Sequence, residues 1–332
     1  MKISTVLGTI DSSELGITLM HEHVLIANHT LRIAYPKWFE RDVFIQYAVR
    51  MLKNAKESGI DTIVDATPID LGRDLSIMQE VSEKSGVHII PCTGFYWSPQ
   101  VSLQDKSPEF ISEILINDIE NGIEGSDIKA QFIKFATVGP ELTEYDRKIG
   151  KAAALASNAT GVFIYTHTNQ KNGISQIDFF ESEGVSPERV VIGHMGDTED
   201  YEYIRSIMDR GHYIGMDRFS SHVLEPENYL EDEKRAKVVA ELIKEGYGKG
   251  MVISQDVACF LDYTGFQNVG NRFPVVMSQD LNDYKVQFNY IPKYVYKMFQ
   301  DCGMTERDIE RLMADNPRDI FEGKSCRVGD YA

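Results

Sequence analysis

The stretch Gly16-Ile17-Thr18-Leu19-Met20-His21-Glu22-His23 lies close to the N-terminus, and its apolar run ends in two histidines one residue apart. Alternate residues of an extended strand point to the same side, so His21 and His23 can direct both imidazoles at one point. Neutral imidazole is the commonest side-chain metal ligand and is available at pH 7. The pair predicts a metal site at a strand end. The alternative is two surface or core histidines with an accidental spacing.

Short β-rich runs alternate with polar loops and helical stretches along the rest of the chain. The eight runs are Ile17–Met20, Thr62–Asp65, His88–Cys92, Phe132–Phe135, Val162–Tyr165, Val190–Ile192, Tyr213–Met216 and Met251–Ser254. Helical stretches between them include Arg41–Ser58, Leu75–Ser85, Glu144–Asn158 and Tyr201–Asp209. Strands that alternate with helices pair in parallel through right-handed crossovers. The pattern therefore predicts an α/β fold, a closed (β/α)8 TIM barrel, with an open doubly wound sheet as the alternative.

The two ends of the chain carry their own signals. Residues 2–16 predict a short N-terminal β-hairpin, because Gly8 and Asp11-Ser12-Ser13 supply turn residues. Near the other end, Thr305-Glu306-Arg307-Asp308 predicts a capping box that starts a helix ending at Asn316-Pro317. Since no linker, low-complexity tract or charge block divides the sequence, we expect one domain over residues 1–332.

Composition and charge restrict the partners and the location. The net charge of −17 opposes binding to nucleic acid or to an anionic membrane, because both would be repelled. The four cysteines form no C-x-x-C motif, which is typical of a reduced protein. The N-terminus leads into no apolar signal core, and no stretch approaches a membrane span. We expect a cytoplasmic protein that binds neither nucleic acid nor a membrane.

Polar residues follow most of the predicted strands, where the catalytic groups of such a barrel lie. They are His21 and His23 after strand one, Lys134 within strand four, His167 after strand five, His194 after strand six, Asp217-Arg218 after strand seven and Asp256 after strand eight. A lysine within the buried run Phe132–Phe135 is costly unless it is paired or modified. His194 alone could be a satisfied core histidine. The joint placement predicts a metal site at this end of the barrel.

Several segments together resemble the phosphotriesterase family of the amidohydrolase superfamily. They are Thr18–His23, Ile133-Lys134, Thr166-His167-Thr168, Ile192-Gly193-His194 and Ser254-Gln255-Asp256, and the similarity extends to Asn316-Pro317-Arg318. Within the family the chain looks closest to the phosphotriesterase-like lactonases. That closer resemblance rests on Thr93-Gly94-Phe95-Tyr96, Gly215–Phe219 and Asp256–Cys259.

The resemblance implies a binuclear centre of two divalent metal ions, zinc in most relatives and manganese, cobalt or iron in others. By the motif match, His21, His23 and Asp256 would hold the more buried ion. His167 and His194 would hold the more exposed one. Lys134 would be carboxylated by CO2 and bridge the two ions, which would also explain a buried lysine. Nitrogen and oxygen donors without thiolate suit borderline divalent ions.

The resemblance also implies catalytic roles in the hydrolysis of an ester. The two ions would activate water and polarise the carbonyl, while Asp256 would be both a ligand and the proton shuttle to the leaving alkoxide. Tyr96 would contact a lactone beside the more exposed ion, or would be only a packed aromatic residue. Arg218 would shape the pocket after strand seven, or would only brace its loop through an acidic neighbour.

The substrate is predicted to be a small-molecule lactone or ester. The segment from Cys259 to about Asp280 is long, which is typical of a functional loop, and it contains Phe260, Leu261, Tyr263, Phe266, Phe273 and Val275. An apolar wall beside the metals favours N-acyl-homoserine lactones or γ- and δ-lactones, whereas the same residues could only pack the loop onto the barrel. Weak phosphotriesterase activity is expected in addition to lactone hydrolysis. A homodimer is expected because relatives are often dimers.

Other substrates and a non-catalytic function remain open at this point. A phosphorylated sugar lactone would need a basic cluster, which Arg218, Arg272 and Lys285 could supply, and another carboxylic ester is a further alternative. Ser98 stands where close relatives often have a second tyrosine, and the loop before Asn282 looks different in length and composition. A metal-binding barrel without catalysis is less favoured, because decay would be expected to remove at least one ligand.

Overall fold

The structure, a computed structural model, describes residues 1–169, 171–224, 227–262 and 287–327. It begins with an antiparallel hairpin of β1 (Lys2–Thr5) and β2 (Gly8–Asp11), in which Lys2 lies opposite Asp11. The predicted N-terminal hairpin is confirmed. It is fixed to the C-terminal part of the chain, because Ser12 Oγ donates a hydrogen bond to Glu322 Oε1 at 2.6 Å.

Parallel strands form the centre of the molecule. They are β3 (Thr18–Glu22), β4 (Thr62–Asp65), β5 (His88–Pro91), β6 (Thr93–Phe95), β7 (Phe132–Ala136), β8 (Phe163–His167), β9 (Val190–Ile192), β10 (Tyr213–Met216) and β11 (Met251–Ile253). Strands β3, β4 and β5 pair in that order, and β6 to β11 pair in sequence order. Since only Cys92 separates β5 from β6, these two are one barrel strand with an interruption.

Main-chain hydrogen bonds close the two gaps between these sheets. The Asp256 N–H donates to the carbonyl of His21 at 3.0 Å, and the His23 N–H donates to the carbonyl of Val257 at 2.9 Å, so the first strand meets the last. The Gln131 N–H donates to the carbonyl of Pro91 at 3.1 Å on the other side. The predicted (β/α)8 TIM barrel is therefore confirmed, and an open doubly wound sheet does not fit this closure.

Helices follow the strands and cover the barrel. The longer ones are Arg41–Glu57, Leu75–Ser85, Pro108–Glu120, Glu144–Thr160, Gly173–Ser182, Tyr201–Met208 and Asp232–Lys244. Caps set several of these ends. Asp74 accepts a hydrogen bond from the Ile77 N–H before Leu75–Ser85, and Thr143 and Asp146 form a capping box at the start of Glu144–Thr160. Among the described residues, no helix combines the length and apolar character that a membrane crossing needs.

The prediction for the last helix is right at its start and wrong at its end. Thr305 and Asp308 form the predicted capping box. The helical chain then runs through Glu306–Glu310, a π-turn at Arg311–Asp315 and a final α-helix at Asn316–Phe321. Proline normally ends a helix, because it lacks an N–H and clashes with the preceding turn. Here the wide π-turn comes directly before Asn316-Pro317, so the helix can continue past the proline.

Two apolar clusters show which way each strand faces. The larger lies between the strands and the helices, and the smaller fills the barrel interior. The smaller cluster joins strand residues such as Phe132 and Val191 to Ile3 of the hairpin and Phe321 of the last helix. The hairpin and that helix therefore seal one end of the barrel. Because Phe132 faces inward and alternate residues share a side, Lys134 also faces the interior.

Two backbone features place side chains in this interior. The pairing of β3 with β4 shifts between Leu19 and Glu22, and such bulges commonly redirect side chains at active sites. Gly94 of β6 has φ +118°, and a Cβ there would lie 2.1 Å from the main-chain oxygen of Lys134. Only glycine allows β6 to approach the lysine-bearing strand so closely.

Candidate metal centre

The six residues predicted as metal ligands converge at the end of the barrel opposite the hairpin. His21, His23, Lys134, His167 and His194 are all buried, and the Asp256 side chain is 18% exposed. Each lies in a barrel strand or within three residues of its end, so the closure of the barrel brings together residues far apart in sequence. The structure places all six in one cluster, as the sequence predicts.

One half of the cluster is formed by His21, His23 and Lys134 with Asp256. Lys134 Nζ lies 2.6 Å from His21 Nε2. Asp256 Oδ1 lies 3.2 Å from His23 Nε2 and 3.5 Å from His21 Nε2. The ligand atoms of the two histidines and Asp256 lie within 4.8 Å of one another, so they could hold a cation.

The other half is formed by His167 and His194. His194 Nε2 lies 2.8 Å from His167 Nδ1 and 3.7 Å from Asp256 Oδ2. The two oxygens of Asp256 therefore face different halves of the cluster. Two imidazole nitrogens this close need a proton or a cation between them, because both neutral lone pairs would otherwise repel.

Outer contacts fix the orientation of three of these rings. Asp217 Oδ2 lies 2.9 Å from His21 Nδ1, and Asp217 Oδ1 lies 2.7 Å from His194 Nδ1. Thr67 Oγ1 lies 2.8 Å from His23 Nδ1. Metal-binding histidines usually have such a partner on the second nitrogen, which leaves the first one free to bind. The donor set thus fits a metal ion, with Nε2 of these three rings and Nδ1 of His167 directed inward.

His21, His194 and Asp217 also lie close enough together to hold a cation. Their separations of 2.7 and 2.9 Å are hydrogen-bond distances, however, and they involve the outer nitrogens of the rings. We therefore interpret Asp217 as the anchor of two histidines. The Tyr165 hydroxyl strengthens this anchor by donating to Asp217 Oδ2 at 3.2 Å.

Burial and charge give these groups the protonation states that metal ligands need. Burial, with a contribution from Lys134, lowers the pKa of His21 to about 3, so its ring is neutral. Burial alone would raise the pKa of Asp256, but His21, His194, His23 and Arg218 outweigh it and hold that pKa well below its usual range. Burial lowers the pKa of Lys134 to about 8. Neutral imidazoles and an ionised carboxylate are the forms that bind divalent ions.

Tyr96 and Arg218 both reach the cluster. The Tyr96 hydroxyl lies 3.2 Å from His167 Nδ1, and its ring packs on Trp97 with centroids 4.1 Å apart. Arg218 Nε donates to Asp256 Oδ2 at 3.1 Å, and its Nη1 donates to Asp197 Oδ2 at 2.6 Å. Arg218 thus braces its loop through an acidic neighbour and also contacts a candidate ligand.

Several strand ends adopt a backbone that is rare outside glycine. His194, Arg218 and Asp256 have φ values of 59°, 69° and 57°. Left-handed backbone at a non-glycine residue costs about 1–2 kcal/mol and clusters at functional sites. All three residues belong to the cluster or contact it.

Sequence reasoning missed Thr67 and Asp197 and gave Asp217 no role. Asp217 stands at a strand end, so position alone could have marked it. Thr67 lies in a loop and Asp197 ends the short 3-10 helix Met195–Asp197. Neither stands in a recognisable sequence pattern, and only the closed barrel shows that Thr67 contacts a ring and Asp197 a guanidinium group.

The aromatic wall predicted after strand eight is described only at its start. Phe260 is buried against Phe39 and Phe44, with ring centroids 5.2 and 6.2 Å apart, so it packs its loop onto the barrel. Leu261 forms a bridge with Ile26. The other residues named for the wall or for a basic cluster lie outside the described residues: Tyr263, Phe266, Phe273, Val275, Arg272 and Lys285.

Comparison with known proteins agrees with this geometry. The profile of the phosphotriesterase family matches residues 1–321. An aryldialkylphosphatase of Saccharolobus solfataricus is 36% identical, over 94% of this chain and 97% of its own. A phosphotriesterase homology protein of Mycobacterium tuberculosis is 34% identical, over 99% of both chains. An N-acetyltaurine hydrolase of Mus musculus is 24% identical, over 96% and 97%. This chain is a hydrolase that belongs to the phosphotriesterase family.

Proposed function

We propose that this hydrolase is a lactonase that depends on two divalent cations, zinc being the first choice. It would open γ- and δ-lactones or N-acyl-homoserine lactones and would hydrolyse phosphotriesters weakly. The observation that carries the proposal is the convergence of four histidines, Lys134 and Asp256, with the outer nitrogens of three rings anchored. Nitrogen and oxygen donors without thiolate suit zinc, manganese, cobalt or iron.

In this proposal His21, His23 and Asp256 would hold one cation, and His167 and His194 would hold the other. Lys134, carboxylated by CO2, would supply a further oxygen ligand. Its buried amine contacts an imidazole nitrogen rather than a carboxylate, and its lowered pKa makes the neutral, reactive amine available. When bound, the two cations lower the pKa of water and polarise the oxygen of the bond under attack.

The protein groups that would move protons and orient the substrate lie around Asp256. Nearby histidines and Arg218, which contacts Asp256 Oδ2, keep the Asp256 carboxylate ionised, so Asp256 can accept a proton from the attacking water and donate it to the leaving alkoxide. Asp197 holds Arg218 from the other side. The Tyr96 hydroxyl beside His167 can donate a hydrogen bond to an oxygen of the substrate.

The lactone class is supported by Tyr96 and by the segments that resemble phosphotriesterase-like lactonases. A phosphorylated sugar lactone is less well supported, because Arg218 is already paired with Asp197 and Asp256. The relatives' names cover phosphate esters and an amide, so a direct comparison of substrates is needed.

The test is a substrate panel on protein produced with bicarbonate and zinc. Lactones of different chain length, a phosphorylated lactone, aryl acetates and aryl dialkyl phosphates are assayed with and without a chelator, with Asp256→Asn as the matched inactive control. We expect the highest kcat/KM for an uncharged lactone and loss of all activity with the chelator. A faster phosphotriester reaction would contradict the lactone class, and activity that survives chelation would contradict the cation requirement.

A further inference from the structure

Glu22 lies between His21 and His23 in the first barrel strand, and its carboxylate binds the segment that follows the last strand. The side chain is fully buried. Its Oε1 accepts hydrogen bonds from Ser254 Oγ at 2.7 Å and from the Gln255 N–H at 2.8 Å. Its Oε2 accepts from the Val257 N–H at 2.9 Å. One carboxylate thus holds the main chain on both sides of Asp256.

Asp256 needs such support because of its backbone conformation. Its φ of 57° is in the left-handed region, which disfavours a residue with a Cβ. A strained conformation persists only where the surroundings determine it. The Asp256 N–H donates to the carbonyl of His21, while the N–H groups on either side of it donate to Glu22. Three successive main-chain N–H groups are therefore fixed by the strand that carries the first two histidines.

Ser254 connects this arrangement to His21 itself. Its hydroxyl donates to Glu22 and accepts from the His21 N–H at 2.9 Å. The position of the His21 main chain and that of the Asp256 main chain are thus coupled through two side chains that face away from the cluster.

A buried carboxylate also accepts a main-chain N–H of a neighbouring strand at two other strand ends. Asp65 Oδ2 accepts from the Val24 N–H at 2.7 Å, next to His23. Asp217 Oδ1 accepts from the His194 N–H at 2.8 Å. In each case a buried carboxylate of one strand fixes the main chain of a neighbouring strand at or beside a candidate ligand.

We propose that Glu22 is a positioning residue that holds Asp256 in the conformation in which its two oxygens serve both halves of the centre. This inference rests on the proposed cation binding. Without the two hydrogen bonds that Glu22 accepts from the Gln255 and Val257 N–H groups, this main chain can relax toward right-handed backbone. The Asp256 carboxylate then turns away from His23 and His194.

The test compares cation binding by full-length, metal-free protein carrying Glu22→Gln with binding by the unchanged protein. A glutamine keeps the shape but turns one acceptor into an NH2 group that meets a main-chain N–H. Co²⁺ is titrated in the presence of bicarbonate, and both its affinity and its visible absorption spectrum are recorded. Loss of a group that orients a metal ligand typically weakens binding about 10- to 100-fold, and we expect a fall in that range together with a changed spectrum.

Asp146→Ala is the matched control, because Asp146 is a buried carboxylate that accepts the Thr143 N–H within a helix cap. It should lower the melting temperature and leave Co²⁺ affinity within about twofold, since helix caps contribute only to stability. If Glu22→Gln does not fold, Ser254→Ala removes one of the three donors to Glu22 and should give a smaller change of the same kind.

The outcomes separate the two proposals. Failure of the unchanged protein to bind Co²⁺ would overturn the proposed cation site itself. Binding by the unchanged protein, with the same affinity and spectrum in Glu22→Gln and Ser254→Ala, would overturn only the role of Glu22.

Discussion

Lys134 Nζ lies 2.6 Å from His21 Nε2 inside a closed barrel, where an ammonium group would be costly. Burial lowers the pKa of this lysine to about 8. At neutral to slightly alkaline pH a much larger fraction of the amine is therefore uncharged than at an exposed lysine. An uncharged amine can add CO2, and the product would be an oxygen ligand at the place where the two halves of the cluster meet.

Lys134→Met replaces this amine with an apolar side chain of similar length. We expect cation affinity and hydrolysis to fall by at least about 100-fold, because the proposed carboxylated ligand can no longer form. The melting temperature of the metal-free protein should not fall, since a buried charge no longer has to be desolvated. Metal analysis, lactone hydrolysis and thermal unfolding in chelator measure these effects. Retained stoichiometry of two ions would contradict the bridging role.

Asp217→Asn tests the shared anchor of His21 and His194. The amide can accept from only one of the two rings, so the other ring loses its outer partner. We expect cation affinity to fall by about 10- to 100-fold and the metal-free protein to lose about 2–3 kcal/mol of unfolding free energy. Tyr165→Phe, which removes only the hydroxyl bond to Asp217, should have a much smaller effect in the same titration. Equal affinities for all three proteins would exclude an orienting role of Asp217.

Asp256→Asn tests the proton shuttle with little change in shape. We expect kcat to fall by at least about 1,000-fold, because an amide cannot accept and donate the proton. The metal-free protein should still fold but with a lower melting temperature, because the amide loses the charge interactions that stabilise the ionised carboxylate. Turnover near the original rate would remove Asp256 from the proposed proton path.

Asp70 gives a pH dependence of stability that can be measured apart from the candidate metal centre. It accepts hydrogen bonds from the Tyr96 N–H at 2.8 Å and from Gln100 Nε2 at 3.3 Å, and burial raises its pKa from 3.8 to about 6. Folding raises the pKa of this carboxyl group, so its contribution to the unfolding free energy is complete at pH values below the pKa of the unfolded state. This contribution is lost as the pH rises through the folded value.

Relative to Asp70→Asn, the unfolding free energy of the unchanged protein should therefore fall by about 1–2 kcal/mol between pH 4 and pH 7, allowing for partial exposure. Urea unfolding of both proteins in chelator measures this difference. A difference that does not change with pH would show that Asp70 titrates normally.

Local patterns were enough to predict the barrel, the hairpin and the positions of the candidate ligands. Strand ends can be read from short apolar runs, and the (β/α)8 order then decides which ends meet. The helix past Asn316-Pro317 was missed because a π-turn offsets the effect of proline. The contacts of Thr67, Asp197 and Glu22 were missed because their partners are remote in sequence. The single domain, the homodimer and the cytoplasmic location stay predictions.

The left-handed backbones of His194, Arg218 and Asp256 also bear on how this protein can be engineered. Glycine would relieve the strain at all three positions but would also leave the partners of the imidazole, the guanidinium or the carboxylate unpaired, so the two effects on stability oppose each other and the melting temperature does not report whether these groups are intact. Thermostable variants of this barrel should therefore be screened for bound metal before they are screened for melting temperature.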